Sequence, residues 1–370
     1  MSYVTRWALV LAVAFMATVA LPNNADACTG ITLKAEDDSV VYARTMELGG
    51  ALVEWGLVVV PQGTSYVGTT PWGSPGVKWT AKYAFTGMNS YGLPYVADGV
   101  NEAGLAAGTF MFAHYAEYQT PAERDAGKTL AAFELTTWIL SNFSTVADVK
   151  EGLLQVKVAA VVLEAPGWDE APPFHWMVVD ESGAAVVVEY VAGELTVHDN
   201  PLGVITNAPT FDWHLTNLKS YVNLSAEDAS EAELGGLTLT QFGHGSGMLG
   251  LPGDFTPPSR FVRAAFLKSA VVPAKDATEA VLQAFHILNQ FDIPLGAVRG
   301  VRGGQPLLEQ TDWTSAADLK NRCYYIHTAD TRRIHMIDLM QAPRDGTAYI
   351  NIPLPQEEVF EDLTPAEVSE

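Results

Sequence analysis

From residue 28 onward the chain alternates between a two-residue and a helical hydrophobic rhythm. Cys28–Ala35 (CTGITLKA) and Val40–Met46 (VVYARTM) are apolar-rich runs flanking the polar stretch Glu36–Ser39, the pattern of a β-hairpin. Residues 50–100 are rich in Gly, Pro and Trp around brief β-like runs, which predicts strands joined by long loops. Over Thr129–Phe143 the residues Leu130, Phe133, Trp138 and Leu140 recur at helical spacing and predict a helix. Ser144 or Thr145 is placed to cap a second helix, through Val149 to about Leu154. Phe174–Val179 and Ala184–Tyr190 read as strands around a turn at Glu181–Gly183, and Glu194–His198 as a third. Pro257 and Pro258 stand where a helix starts, continuing through Phe261–Ala270. Asp276 to about Asn289 predicts another helix, stopped before Pro294, and Cys323–Thr328 with Arg333–Leu339 a late hairpin. The acidic tail from Gln356 is expected on the surface. No linker, repeat or low-complexity block interrupts this order. Two strand groups, with helices between and after them, point to one layered α+β domain over residues 28–370.

The first 27 residues follow neither rhythm. Arg6 supplies a short positive start, and Trp7–Leu21 is a mostly apolar run of 15 residues. That is shorter than the ~20 residues of a membrane-spanning helix. Pro22 breaks it, and Ala25-Asp26-Ala27 has the small-x-small form of a signal-peptidase site. Residues 1–27 are therefore expected to be a removed signal peptide, leaving a periplasmic or secreted protein that begins at Cys28. A second reading is the lipid-modified cysteine of a bacterial lipoprotein. That signal usually places Leu three residues before the cysteine, where this chain has Ala25.

Composition narrows the partners. With 48% apolar and 17% charged residues the chain can bury a sizeable core. Lys and Arg number 21 against 43 acidic residues, a net charge of −22. Such a field repels nucleic acid and anionic membrane surfaces, so neither is an expected partner. The two cysteines, Cys28 and Cys323, could form one disulfide in an exported chain; we read them as two free thiols, one reactive and one buried in a strand.

A cysteine that starts a mature chain joins two chemical groups. Its thiol is a strong nucleophile, and its α-amine, with an ordinary pKa of about 7.7–8.0, can serve as that thiol's base. Other chemistries lack support. Gly245–Gly250 (GSGMLG) satisfies the dinucleotide pattern G-x-G-x-x-G, but Pro252 follows where a helix should run, so it reads as a flexible loop near the substrate site. The eight histidines show no H-E-x-x-H or paired spacing, so neither a metal nor a cofactor is expected. No G-x-S-x-G elbow occurs. The early aromatics Trp55, Trp72, Phe110, Phe112 and Tyr115 include candidates for the wall of an apolar pocket.

Five blocks then carry a resemblance. Cys28–Gly30 (CTG), Tyr42–Glu47 (YARTME), Ala97–Leu105 (ADGVNEAGL), Thr206–Trp213 (TNAPTFDW) and Gly250–Phe261 (GLPGDFTPPSRF) occur in order. Together they resemble the choloylglycine hydrolase family of N-terminal nucleophile hydrolases, which includes conjugated bile acid hydrolases and penicillin V acylases. The resemblance implies a four-layer αββα sandwich, a homotetramer, and cleavage of a linear amide bond in a small acyl-amide substrate. It implies Cys28 as nucleophile, Arg44 as the basic residue beside it, and Asn101 and Asn207 as oxyanion donors. Arg260 is implied as the second arginine of the site. Glu47 stands where many members have aspartate to hold the N-terminal amine, so its contact is open. Acylated homoserine lactones remain an alternative substrate class, and a non-catalytic, lipid-anchored binding protein an alternative function.

Overall fold

The computed structural model describes residues 27–48, 53–166, 168–302 and 305–364. The expected signal peptide, but for Ala27, lies outside the described residues, as does the end of the acidic tail.

Two antiparallel sheets face each other. The first runs in the order Val204–Ile205, Thr29–Lys34, Val40–Met46, Trp313–Asp318, Cys323–Thr328, His335–Asp338. The second runs Glu194–Asp199, Ala185–Val191, Phe174–Val179, Ala106–Met111, Val96–Asn101, Phe85–Ser90, Trp55–Val60, Ile350–Ile352. The expected hairpins form with small shifts at their ends. Among the described residues five α-helices follow in chain order: α1 (Leu135–Asn142), α2 (Val146–Leu153), α3 (Phe211–Leu218), α4 (Pro257–Ala270) and α5 (Ala277–Leu288). Helix α1 packs on Val96–Asn101 and Ala106–Met111 of the second sheet. Helix α5 packs on the three neighbouring strands Thr29–Lys34, Val40–Met46 and Trp313–Asp318 of the first, and α4 beside it on Thr29–Lys34 and Val204–Ile205. The result is the four-layer αββα sandwich.

Capping follows the sequence closely. Thr145 accepts from the Asp148 backbone N–H at 3.1 Å to start α2, and Asp276 accepts from that of Glu279 at 3.0 Å to start α5. One element differs from expectation. Thr129–Phe143 is not a continuous helix: Thr129–Ala131 is a strand, paired in parallel with Lys157–Ala159, and α1 starts only at Leu135. Buried Glu134 explains the break. Its carboxyl accepts the N–H groups of Ala131 at 2.8 Å and Thr69 at 3.0 Å, which turns the chain before α1. Apolar spacing alone cannot register a carboxyl with partners on a remote loop.

The space between the sheets is closely packed. A Cβ on Gly108 would come within 1.9 Å of the Tyr42 hydroxyl, so only glycine admits this approach. Tyr42 and Arg44 share the inner face of their strand by two-residue alternation. Pairing of Thr29 with Thr45 sets Cys28, one residue earlier, beside Met46.

Candidate active site

Cys28 immediately precedes the first strand and is only 1% exposed. Its Sγ lies 3.8 Å from Met46 Sδ and 3.8 Å from the main-chain oxygen of Glu47. The thiol nevertheless lines a cavity that opens to solvent. Met46, Thr109 and Met111 share that lining, and half of the remaining lining residues are aromatic: Trp55, Tyr91, Tyr95, Phe133, Trp168 and Phe174. Of the aromatics singled out in the sequence, only Trp55 belongs to it. Phe110 and Phe112 are fully buried beneath, engaged with Arg44 and His175, while Trp72 and Tyr115 face outward.

Two buried arginines flank the cysteine. Arg44 donates from Nη1 to the Thr109 carbonyl and from Nε to that of Thr45 at 3.2 Å, with its guanidinium 4.1 Å from the centre of the Phe110 ring. Burial works against its charge, but Cys28, Tyr42, Asp98 and Glu47 outweigh it and raise its pKa. Arg260, in the first turn of α4, donates from Nη1 to the carbonyl oxygen of Cys28 and to Thr29 Oγ1 at 2.9 Å. Its Nη2 donates to Asn207 Oδ1 at 2.6 Å, and its Nε to the Phe255 carbonyl at 2.8 Å. Burial lowers its pKa to about 10, leaving it charged at neutral pH.

Asn207 completes the join. Its Nδ2 donates to the Met111 carbonyl at 2.8 Å, so this carboxamide ties α4 to the end of a second-sheet strand that lines the cavity. Only one of the two Nδ2 hydrogens is used there.

Asn101 is not brought to the thiol. Its Nδ2 donates to the carbonyls of Leu140 at 2.9 Å and Phe143 at 2.8 Å, and its Oδ1 accepts from Ala103 and Leu105. Both donors serve the outer helix layer, so Asn101 leaves the set of oxyanion donors. It ends the strand whose first residues, Val96 and Ala97, line the cavity.

Glu47 is fully buried, and two hydroxyls engage its carboxyl: Thr311 Oγ1 at 2.6 Å and Thr45 Oγ1 at 3.1 Å. Thr45 Oγ1 in turn accepts the Thr29 backbone N–H at 3.2 Å. Burial drives the Glu47 pKa well up, against the pull of Thr311, Arg260, Thr45 and Arg44. Thr311 was invisible in the sequence, being 264 positions from its partner. Asp98 was also missed as a site neighbour, although it lies inside a quoted motif. Buried between the sheets, it accepts from Ser315 and Tyr324, each at 2.7 Å.

Neither cysteine is disulfide-bonded, and Cys323 lies in its predicted strand. The Gly245–Gly250 segment lies on an exposed arm, not against the cavity. Asp228 accepts the backbone N–H groups of Gly245 at 2.6 Å and Ser246 at 3.1 Å there. Among the described residues no group of three or more His, Cys, Asp or Glu is placed to hold a metal ion, and no helix is long and apolar enough to cross a membrane.

Known proteins resemble this chain in sequence and fold. The sequence pattern of the linear amide C–N hydrolases, choloylglycine hydrolase family, matches residues 28–351. A bile salt hydrolase/transferase of Clostridium perfringens is 36% identical over 324 residues, 86% of this chain and 94% of that protein. A penicillin V acylase of Pectobacterium atrosepticum is 29% identical over 334 residues, 84% of this chain and 81% of that protein. A crystal structure of the conjugated bile acid hydrolase from Clostridium perfringens superposes with a TM-score of 0.79 at 31% identity, covering 91% of this chain and all of that one.

Proposed function

The chain belongs to the choloylglycine hydrolase family of linear amide C–N hydrolases, and we propose that Cys28, exposed as the N-terminal residue by removal of residues 1–27, is its nucleophile. The observation that carries this reading is the thiol at the wall of an apolar cavity, with Arg260 bonding both the Cys28 carbonyl and the Asn207 carboxamide. The freed α-amine takes the thiol proton and the thiolate attacks the amide carbonyl, forming a tetrahedral intermediate. The second Nδ2 hydrogen of Asn207 stabilises its oxyanion; one such donor is worth ~3–4 kcal/mol. The protonated α-amine then gives its proton to the leaving amine, and water hydrolyses the thioester. Arg44 and Arg260 favour the thiolate through their charge. Arg260 also fixes Cys28 and Asn207 relative to each other by bonding both.

The aromatic wall suits the bulky acyl part of a conjugated bile acid or penicillin V. A mature chain starting at Cys28 should hydrolyse at least one member of a panel of glycine- and taurine-conjugated bile acids, penicillin V and acyl-homoserine lactones. Cys28→Ser should abolish that turnover. Turnover confined to the lactones would reassign the substrate class, and full activity of the Ser variant would overturn the mechanism. Intact mass of exported protein tests the start site; a diacylglycerol adduct on Cys28 would favour the lipid-anchored binding protein.

Self-association is part of the same proposal. The strands Ala232–Leu234 and Leu237–Leu239 form a hairpin exposed along its whole length, and it presents Leu234, Leu237 and Leu239 to solvent near exposed Phe242. An apolar arm of this kind suits burial in a homotetramer. Leu237→Asp should then reduce the solution mass.

A further inference from the structure

The peptide that carries Asn207 is held in an unusual way. His175 Nε2 lies 3.1 Å from the Thr206 carbonyl oxygen, and His214 Nε2 lies 2.9 Å from the carbonyl oxygen of Asn207 itself. Two imidazoles thus meet two successive carbonyls. A carbonyl only accepts, so each of these nitrogens carries the hydrogen. Each ring is also stacked on a phenylalanine: His175 on Phe112 at 4.4 Å with 4° between planes, His214 on Phe261 at 4.6 Å with 11°. Behind them, buried Glu189 faces His175 Nδ1 at 3.2 Å and accepts the Phe211 backbone N–H at 3.0 Å, while His198 approaches its other oxygen at 3.3 Å. The far side of His214 is bare. Its Nδ1 is buried with no hydrogen-bond partner among the described residues, and burial lowers the ring's pKa to about 4. The neutral ring therefore has one polar task, donation to Asn207.

We propose that His175 and His214 are positioning residues that aim the Asn207 carboxamide, by fixing the orientation of the two peptide groups on either side of its Cα. The inference rests on the reading of Asn207 as an oxyanion donor. Arg260 and the Met111 carbonyl hold the carboxamide end of that side chain, and the imidazoles hold its root. With both ends fixed, the remaining Nδ2 hydrogen has one direction. Loss of the His214 donor leaves a buried carbonyl unpaired and frees the peptide to rotate, and sub-ångström misplacement of a catalytic group is enough to slow chemistry.

His214→Phe keeps a ring against Phe261 without the donor, and His214→Gln keeps an N–H at similar reach. The Phe variant should lower kcat about 10- to 100-fold with KM nearly unchanged, and the Gln variant should recover most of the loss. In an Asn207→Ala background, His214→Phe should cause no further loss, because the two act through one donor. Wild-type kcat in a folded His214→Phe protein, or losses that multiply in the double variant, would overturn the inference. Unchanged kcat in Asn207→Ala alone would instead remove the oxyanion reading and this inference with it. Imidazole ¹⁵N shifts of the unmutated protein check the tautomer independently of any variant: His214 should carry its proton on Nε2, and a proton on Nδ1 would overturn the inference even if every variant misfolds.

Discussion

Asn101 and Asn207 invite comparison, because Asn101 ends a strand, Asn207 lies just beyond one, and both are buried. Asn101 uses both donors and its acceptor, tying the end of its strand and the Ala103–Leu105 turn to the end of α1. Asn207 uses one donor and its acceptor across layers, joining Arg260 of α4 to Met111 of the second sheet. A carboxamide with both donors already engaged has none left for a substrate. One that bridges layers and keeps a donor in reserve can also act on a substrate.

The sharpest way to break the comparison is to truncate both. Asn207→Ala should lower kcat by ~10²–10³ with little change in KM, as expected for a donor used in the transition state. A raised KM at constant kcat would reduce Asn207 to a binding role. Asn101→Ala should do the reverse. By leaving two carbonyls and two N–H groups short of partners it should destabilise the fold by about 2–4 kcal/mol while the folded enzyme keeps its kcat. Denaturant unfolding beside steady-state kinetics separates the two, and a large kcat loss in folded Asn101→Ala would merge them again.

Glu189 sharpens the Asn207 side of the comparison through pH. Burial favours its protonated form, but hydrogen bonds from His175 and His198 prevail and hold its pKa at about 2, below the ordinary 4.5. A depressed carboxylate stabilises the fold above its unfolded pKa, and that contribution disappears as pH falls from about 4.5 toward 2. Glu189→Gln should therefore lower the melting temperature at pH 6 and flatten its fall across that acid window. A parallel pair of curves would mean that the carboxylate contributes nothing through its charge. The smallest effect is expected at Cys323, which lies in a strand away from the cavity. Cys323→Ser should leave kcat/KM within about twofold, while Cys28→Ser abolishes it; equal losses would point to a fold defect instead.

The sequence was most legible where chemistry is local. Prolines placed the start of α4, Asp276 and Thr145 placed the starts of α5 and α2, and alternation placed the hairpins. It misled where a polar partner lies far along the chain. Glu134 breaks a helical pattern by bonding Thr69, 65 residues away. Glu47 stands in the predicted motif, yet its carboxyl meets Thr311, which no spacing rule connects to it. The early aromatics were recognised as a class, but which of them wall the cavity depended on strand face and loop path. Tyr91, Tyr95, Phe133, Trp168 and Phe174 were not singled out.

By itself the sequence determined the class of chemistry, because a cysteine at residue 28, two arginines and five ordered motifs are statements about residue identity and order. It also determined where α2, α4 and α5 start, since caps and prolines act over a few residues. Only the tertiary structure decided which asparagine bonds the second buried arginine, what holds Glu47, and which imidazoles meet the Asn207 peptide. Those contacts are fixed by which face of a strand points between the sheets and by how closely the layers approach. Residues far apart in the chain meet only once the apolar faces of two sheets are buried against each other.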